Sequence, residues 1–233
     1  GIDPYVEMAG GIYGVKPENV TKQQRFYGKT AVLGCGYQLG SNGLQSQLRN
    51  FGVDEDLEFC NRVVQAYREK NKRTVAFWRK IEDAAKGTVA TKSPSKCGPY
   101  TFHMHRDWLH MRMPCGRDIS YFRPRLVDAK FGKKIEYIGV GINGKPQRTY
   151  TYGGKLTENA TQAVCRDLLV EAMSRVEKKG YDVVAHVHDE IICEVDADYG
   201  SVQEVEQIMC ETPDWAKEFP VGAEGFESFR YRK

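Results

Sequence analysis

The spacing of apolar residues in the first part of the chain predicts helices. A short helix is expected to begin at Pro4 and to end among the glycines that follow, because proline favours a first helical turn and glycine a helix end. Thr21 and Gln24 have the spacing of a capping box, which predicts a second helix over about residues 22–37. Two further amphipathic helices are predicted over Asp54–Glu69 and Lys72–Lys86.

Strand-like alternation follows in the middle of the chain. Residues 109–113 alternate apolar and polar side chains and predict a strand, and a second strand is expected through Tyr121. The dipeptide Asn143-Gly144 separates residues 135–142 from residues 147–152, and Asn-Gly is the strongest short signal for a β-hairpin. These patterns predict antiparallel strands joined by short turns.

The last third of the chain predicts a long helix followed by a tight hairpin. The helix is expected from about Glu158 to Lys179, with Gly180 as its end signal. Two β-branched runs, Val183–Val187 and Ile191–Val195, then flank a polar tripeptide and predict buried strands. Beyond them the sequence predicts a helix capped by Ser201, with an apolar face of Val202, Val205, Ile208 and Met209, and a short closing strand through Phe229 and Tyr231.

The polar tripeptide His188-Asp189-Glu190 forms the tip of the predicted hairpin. Its two carboxylates therefore lie on rigid backbone between two strands. Such a pair has two interpretations, a solvated turn or a set of oxygen ligands for a hard divalent cation. The spacing alone leaves both open.

The second predicted helix presents a chemically mixed stripe. Arg25, Lys29, Leu33 and Tyr37 recur every four residues, so each is displaced by only about 40° from the one before. The stripe is either a solvated face or a surface that meets an anion with its two cations. The same segment contains glycines, which weaken a helix and are tolerated where the backbone approaches a ligand or bends, at positions 28, 34, 36 and 40.

Composition limits the class of protein without choosing a function. The chain has 233 residues, of which 41% are hydrophobic and 28% charged, enough for one large globular domain or two small ones. Its net charge of +3 neither requires nor excludes nucleic acid. Seven cysteines without a C-x-x-C pair indicate reduced thiols in a cytosolic compartment. No apolar run approaches a membrane span, and the lack of an initiator Met suggests a piece of a longer protein.

Two further clusters favour ordinary structural roles. The basic run Arg68–Arg73 could contact DNA phosphates, but a solvated surface is the preferred interpretation. A zinc site is disfavoured because strand alternation accounts better for its five candidate ligands, which lack close paired spacing: Cys97, His103, His105, His110 and Cys115.

Several of these motifs together resemble the family A DNA polymerases, which include bacterial DNA polymerase I and many phage replicative enzymes. The strand, His188-Asp189-Glu190, strand pattern resembles the palm-domain motif of that family. Arg25-x3-Lys29-x7-Tyr37, preceded by Val20-Thr21-x2-Gln24, is similar to its fingers-domain nucleotide-binding helix. Met113–Arg117 resembles a Leu-Pro-Ser-Gly-Arg hairpin common in phage members. The similarity extends over nearly the whole chain.

The resemblance implies an α+β fragment of the polymerase right hand. Residues 1–105 would be the helical fingers, with the nucleotide-binding helix at about 22–37. Residues 106–233 would be the C-terminal part of an antiparallel palm, with the catalytic hairpin at 183–195. The implied activity is template-directed DNA synthesis in the cytoplasm of a bacterial or phage-infected cell, with no membrane involved. The implied partners are primer-template DNA, deoxynucleoside triphosphates and two Mg²⁺ ions.

The resemblance also implies roles for individual residues. Asp189 and Glu190 would be metal ligands and His188 would position the primer end. Arg25 and Lys29 would bind the triphosphate, and Lys29 could also protonate the leaving group. Leu33 would lie against the sugar of the incoming nucleotide and Tyr37 beside the templating base. Gln162 would contact the minor groove of the primer-template DNA.

The chain departs from the family pattern at several positions. Leu33 stands where Phe or Tyr is better known, Gln38 follows Tyr37 where Gly is usual, and Glu158 occupies the place of an Asn. In the family the first metal-binding Asp lies on an earlier palm strand, so an upstream portion with that strand and the thumb is an expected partner. Two alternatives stay open: a catalytically incomplete fragment that binds DNA or nucleotide, and a relative of the single-subunit RNA polymerases.

Overall fold

A computed structural model describes residues 3–129 and 132–231. Two compact units are present, one formed by Gly1–Met111 with Ile119–Asn159 and the other by Arg112–Asp118 with Ala160–Lys233. The predicted fingers and palm, residues 1–105 and 106–233, are functional assignments and stay predictions.

Helices form the N-terminal part of the first unit, largely as the sequence predicts. Their bounds are α1 Pro4–Tyr13, α2 Lys22–Cys35, α3 Ser41–Asn50, α4 Leu57–Lys70 and α5 Lys72–Thr91. Helix α1 continues through its internal glycines and ends at Gly14, which has a left-handed φ of 66°. Helix α3 is not among the predicted elements, and it buries Leu44 and Leu48. A shared core joins these helices, with Met8, Tyr27, Ala31, Cys35, Leu44, Leu48, Cys60, Val63, Val64, Tyr67 and Trp78 buried.

A six-stranded sheet follows the helices. Its strands are β1 Ser95–Cys97, β2 Tyr100–His105, β3 Trp108–Arg112, β4 Asp118–Val127, β5 Lys134–Val140 and β6 Pro146–Thr151, and they neighbour one another in sequence order. Phe102, Leu109 and Met111 are fully buried on the inner face. The predicted Asn143-Gly144 hairpin turn is confirmed, since Gly144 has a left-handed φ of 73° between β5 and β6.

Helix α6, Gly153–Lys178, and the elements after it complete the fold. A two-stranded antiparallel sheet contains β7 Asp182–Val187 and β8 Glu190–Glu194 and is followed by helix α7, Val202–Cys210. Ser201 caps α7 as predicted, its hydroxyl accepting a hydrogen bond from the Glu204 amide at 3.2 Å. Val176, Tyr181 and Ile208 form a small core beneath the hairpin.

Two predictions for this region are wrong. The predicted burial is wrong for β7, in which Val184 is 56% and Val187 37% exposed, whereas β8 is half-buried over Glu190–Cys193. The β-branched runs correctly predicted the strands but could not show that Val183 packs against the small core while the rest of β7 is exposed. The closing strand is also missing: residues 220–231 have no regular structure, and Phe229 is fully exposed.

The seven cysteines are free thiols. None of the described helices has the length and apolar character needed to cross a membrane.

Candidate nucleotide and metal site

Helix α2 presents the predicted stripe to solvent. Its capping box is confirmed: the Gln24 amide donates to the Thr21 hydroxyl at 3.2 Å, and the Thr21 amide donates to the Gln24 side chain at 2.9 Å. Arg25, Lys29 and Leu33 are exposed, Leu33 by 48%. The four-residue spacing therefore places two cations and an apolar side chain on one accessible face.

The opposite face of α2 is held in the protein core. The Tyr27 hydroxyl donates a hydrogen bond to the Glu55 carboxylate, and burial together with that carboxylate raises the pKa of Tyr27 to about 12. Gly28 packs directly against α1, since a Cβ added there would lie 2.1 Å from the carbonyl oxygen of Tyr5. Close helix packing, and not approach to a ligand, accounts for this glycine. The accessible stripe is thus fixed in orientation by the face behind it.

Arg25 has a protein partner that sequence spacing could not reveal. Its guanidinium lies 2.7 Å from the Asp3 carboxylate and sits over the Tyr5 ring, 5.3 Å from the centroid. The hydrogen bond from Arg25 lowers the pKa of Asp3, whose carboxylate also caps α1 through the Tyr5 amide. An anion that binds Arg25 must therefore share it with Asp3.

Lys29 differs from Arg25 in this respect. Among residues 3–129 and 132–231, no carboxylate forms an ion pair with its ammonium group. An exposed, unpaired ammonium one helical turn from a guanidinium can meet a second phosphate oxygen of the same ligand.

The end of α2 is anchored where Tyr37 leaves the helix. The Trp78 indole donates to the Gly36 carbonyl at 3.1 Å. Gln38 has a left-handed φ of 69°, and its side-chain oxygen accepts a hydrogen bond from the Gly154 amide at 2.8 Å. Tyr37, half-buried between these anchors, therefore has a defined position at the helix end.

The hairpin tip has the geometry of an open ligand site. Val187 pairs with Glu190 at the end of the ladder, so His188 and Asp189 form a two-residue turn, and His188 has a left-handed φ of 53°. Asp189 is exposed and Glu190 half-buried. Within the described chain neither carboxylate has an ion pair or a hydrogen-bond donor, which leaves their oxygens available to a cation. The donor type fits Mg²⁺, which binds oxygen ligands.

Gln162 lies on α6 beside this hairpin. It shares a helix face with Arg166 one turn later, and the Arg166 guanidinium is 3.4 Å from the His186 ring in β7. Gln162 is exposed on that face. The predicted minor-groove residue therefore lies on the side of α6 from which Arg166 reaches the β7–β8 hairpin.

Asp167 is a buried residue whose role the sequence did not indicate. It is 8% exposed, and its two oxygens accept hydrogen bonds from Arg117 at 2.7 Å and from the Cys115 thiol at 3.0 Å. Burial, more than Asp167, raises the pKa of Cys115. The carboxylate thus secures the Met113–Arg117 turn, identified in the sequence as a polymerase-like hairpin, to helix α6.

Comparison with known proteins finds a phage relative. The chain is 38% identical over 235 residues to a DNA polymerase of Bacillus phage SP02, an alignment that covers 98% of this chain. The chain is homologous to part of a phage DNA polymerase. It spans about a third of that relative's length, 36%. No protein-family model matches the chain.

The fold agrees with this polymerase homology. A solved structure, the POL domain of Pol1 from M. smegmatis in complex with DNA primer-template and dNTP, matches with a TM-score of 0.53 and 16% identity. The match covers 89% of this chain and 30% of that one. The predicted resemblance to family A DNA polymerases and the α+β polymerase fold are confirmed.

These comparisons do not test the roles of single residues. Arg25, Lys29, Leu33 and Tyr37 lie in the first unit, whereas Gln162, His188, Asp189 and Glu190 lie in the second. Their assembly around one substrate stays a prediction.

Proposed function

We propose that this chain is the C-terminal part of a DNA-directed DNA polymerase and contains its nucleotide-binding helix and its catalytic hairpin. The observation that supports this most directly is the hairpin tip, where Asp189 and Glu190 have no cation partner in the described chain and stand on paired strands. Because the phage SP02 relative is a DNA polymerase, we infer that these two carboxylates serve DNA synthesis.

The proposed reaction is template-directed nucleotidyl transfer. The primer 3′-oxygen forms a bond to the α-phosphorus of a deoxynucleoside triphosphate, and the bond to the β-phosphate oxygen breaks to release pyrophosphate. Asp189 and Glu190 would hold Mg²⁺, which in such sites stabilises the attacking and leaving oxygens.

The other residues bind and orient the substrates. Arg25 and Lys29 bind the triphosphate and offset its growing negative charge, and Lys29 donates a proton to the leaving pyrophosphate. Leu33 lies against the sugar and Tyr37 beside the templating base. Gln162 and His188 hold the primer-template end, with Gln162 accepting or donating in the minor groove, where correct base pairs present similar groups.

Two Mg²⁺ ions close together would need several anionic ligands, and the hairpin tip offers two carboxylates. In the proposed enzyme a further acidic residue would come from an upstream portion of the polymerase. The exposed Val184 and Val187 leave one face of the hairpin open to such a portion. The complete enzyme would act in the cytoplasm of a bacterial or phage-infected cell.

A chimera tests the proposal. This chain replaces the matching part of the phage SP02 DNA polymerase, and primer extension is measured with Mg²⁺. The chimera should extend a primer, Asp189→Ala should abolish extension, and Asp182→Ala, an exposed acid at the far end of the same hairpin, should not. Extension that survives Asp189→Ala, or a chimera without extension, contradicts the proposal. Equal use of ribonucleotides would favour an RNA polymerase relative.

The isolated chain gives a second outcome. We expect it to bind DNA weakly without extending a primer. The alternative of a catalytically incomplete fragment predicts the same result for the isolated chain. Steady Mg²⁺-dependent extension by the chain alone would require a second carboxylate site within it.

A further inference from the structure

The sheet segment is much more basic than the rest of the chain. Residues 95–151 contain eleven Lys and Arg and four Asp and Glu, a net charge of +7, whereas the whole chain has only +3. The remaining residues together are therefore net negative. A local positive field of this kind attracts a polyanion to the sheet and not to the molecule at large.

The outward face of this sheet also presents aromatic rings. Trp108 in β3 points away from the core, opposite to the fully buried Leu109, and it is 38% exposed. Its ring lies 4.6 Å from that of Phe122 in β4. Beside this pair His103 and His110 stack with their centroids 5.0 Å apart. The solvent-exposed ring of Trp108 suits an unpaired base, which can stack on it.

Two arginines flank the Trp108–Phe122 pair. The Arg123 guanidinium lies 5.1 Å from the centroid of Phe122, and it also contacts the Asp107 carboxylate at 3.2 Å. Arg106 is exposed in the β2–β3 turn and has no acidic partner among the residues that the structure describes. These cations are placed to meet phosphates of a strand whose base stacks on the pair.

The backbone at both arginines is unusual. Arg106 and Arg123 have left-handed φ values of 50° and 46°, a conformation uncommon for residues with long side chains. The Arg123 amide donates to the Asp107 carbonyl at 2.7 Å, which ties the two strained positions together at one end of the sheet. Strained residues of this kind concentrate at ligand sites.

We propose that Arg106, Trp108, Phe122 and Arg123, termed here the Trp108 face, bind single-stranded DNA. The proposal rests on the polymerase function, in which the natural single strand is the unpaired template. Duplex DNA fits less well because its bases are stacked on one another and their faces are not available to Trp108.

Binding of a labelled 20-nucleotide thymidine oligomer to the purified 233-residue chain tests this. Trp108→Ala should weaken binding about tenfold, since stacking on one ring contributes roughly that factor per base. Arg106→Ala, which removes an unpaired turn residue, should lower the slope of log affinity against log salt by about one. Trp108→Phe should retain most of the affinity.

Arg62→Ala is a matched control for Arg123→Ala. Arg62 is 64% exposed, pairs with Glu58 at 3.1 Å and lies 5.7 Å from the Phe59 ring, so it matches Arg123 in exposure, in its acidic partner and in its neighbouring ring. Arg123→Ala should lose affinity for the oligomer and Arg62→Ala should not.

Three results would overturn the proposal: unchanged binding in both Trp108→Ala and Arg106→Ala, equal losses for duplex DNA, or competition by an acidic peptide as strong as by the oligomer. The binding assay needs neither nucleotide nor Mg²⁺, so its result does not depend on catalysis. Failure of the Trp108 face and failure of the polymerase function are therefore distinguishable.

Discussion

The Gln38 side chain accepts a hydrogen bond from the Gly154 amide at 2.8 Å, although this requires a left-handed backbone at Gln38. Gly154 cannot be replaced, because a Cβ there would lie 2.2 Å from the Tyr37 carbonyl oxygen. Where family resemblance leads one to expect glycine after Tyr37, this chain instead has a side chain that caps the first turn of α6. The end of helix α2 and the start of helix α6 are thereby joined.

Substitutions at Gln38 should separate the cap from the backbone strain. Gln38→Ala loses the cap and keeps the strain, so its free energy of unfolding should fall by about 1 kcal/mol. Gln38→Gly loses the cap but relieves about 1 kcal/mol of left-handed strain, and should be close to the parent. Urea denaturation measures both. A Gln38→Ala variant as stable as the parent would contradict the capping role, and equal stabilities of the two variants would contradict the backbone strain.

Asp3→Asn should tighten nucleotide binding. The carboxylate competes with a triphosphate for Arg25, and asparagine keeps the N-cap of α1 while removing the charge. Because Arg25 lowers the pKa of Asp3, the ion pair is complete above the ordinary value of 3.8 and is lost only as pH falls below it, so competition is full at neutral pH. We expect a gain of up to about fivefold in affinity, measured by titration with a deoxynucleoside triphosphate.

A similar pair elsewhere in the first unit is the control. Arg49 and Asp54 form an exposed ion pair at 2.9 Å, and Asp54→Asn should leave nucleotide affinity unchanged. Unchanged affinity in Asp3→Asn would show that the triphosphate does not use Arg25.

Local sequence was enough to predict the stripe on α2 and the hairpin tip. The capping box, the four-residue period and the β-branched runs each act within one or two turns or strands, so short segments determine them. Partners far apart in sequence were missed. Asp3 meets Arg25 across 22 residues, and Asp167 meets Arg117 across 50 residues, which only the folded chain reveals.

Burial was the property that the sequence predicted worst. Val184 and Val187 have the β-branched character of buried strand residues, yet both are exposed in this chain. Side-chain type favours a strand but does not determine which of its faces another element covers. The aromatic residues Phe229 and Tyr231 were mistaken for strand residues for the same reason, since aromatic type alone favours strands without fixing a partner.

Lys29→Ala should raise the KM for deoxynucleoside triphosphates by about tenfold in the active chimera, because a hydrogen bond to a charged phosphate is lost. Affinity for primer-template should not change. Lys22→Ala, an exposed lysine in the first turn of the same helix, is the control and should alter neither quantity. Equal loss of nucleotide and DNA binding would contradict a triphosphate contact.

Leu33→Tyr should change the ratio of dideoxynucleotide to deoxynucleotide incorporation. Leu33 is 48% exposed on the accessible stripe of α2, and at the proposed sugar site it would offer neither a ring nor a hydroxyl. Leu57→Tyr places the same ring at a leucine of similar exposure, 41%, on α4, and should leave the ratio as it is. Competitive incorporation in the chimera measures the ratio, and no change in Leu33→Tyr would remove Leu33 from the sugar pocket.

Arg117→Ala should destabilise the chain by about 1–3 kcal/mol, because it deprives the buried Asp167 carboxylate of its charged donor. Arg112→Ala, in the same hairpin, removes an ion pair with Asp118 that contains two hydrogen bonds. Because Arg112 is 52% exposed, the free energy of unfolding should fall by only about 0–1 kcal/mol. Urea denaturation measures both. Cys115→Ser should stay close to the parent, since a hydroxyl can donate to Asp167 as the thiol does. If Arg112→Ala were as costly as Arg117→Ala, burial of Asp167 would not be what makes this turn stable.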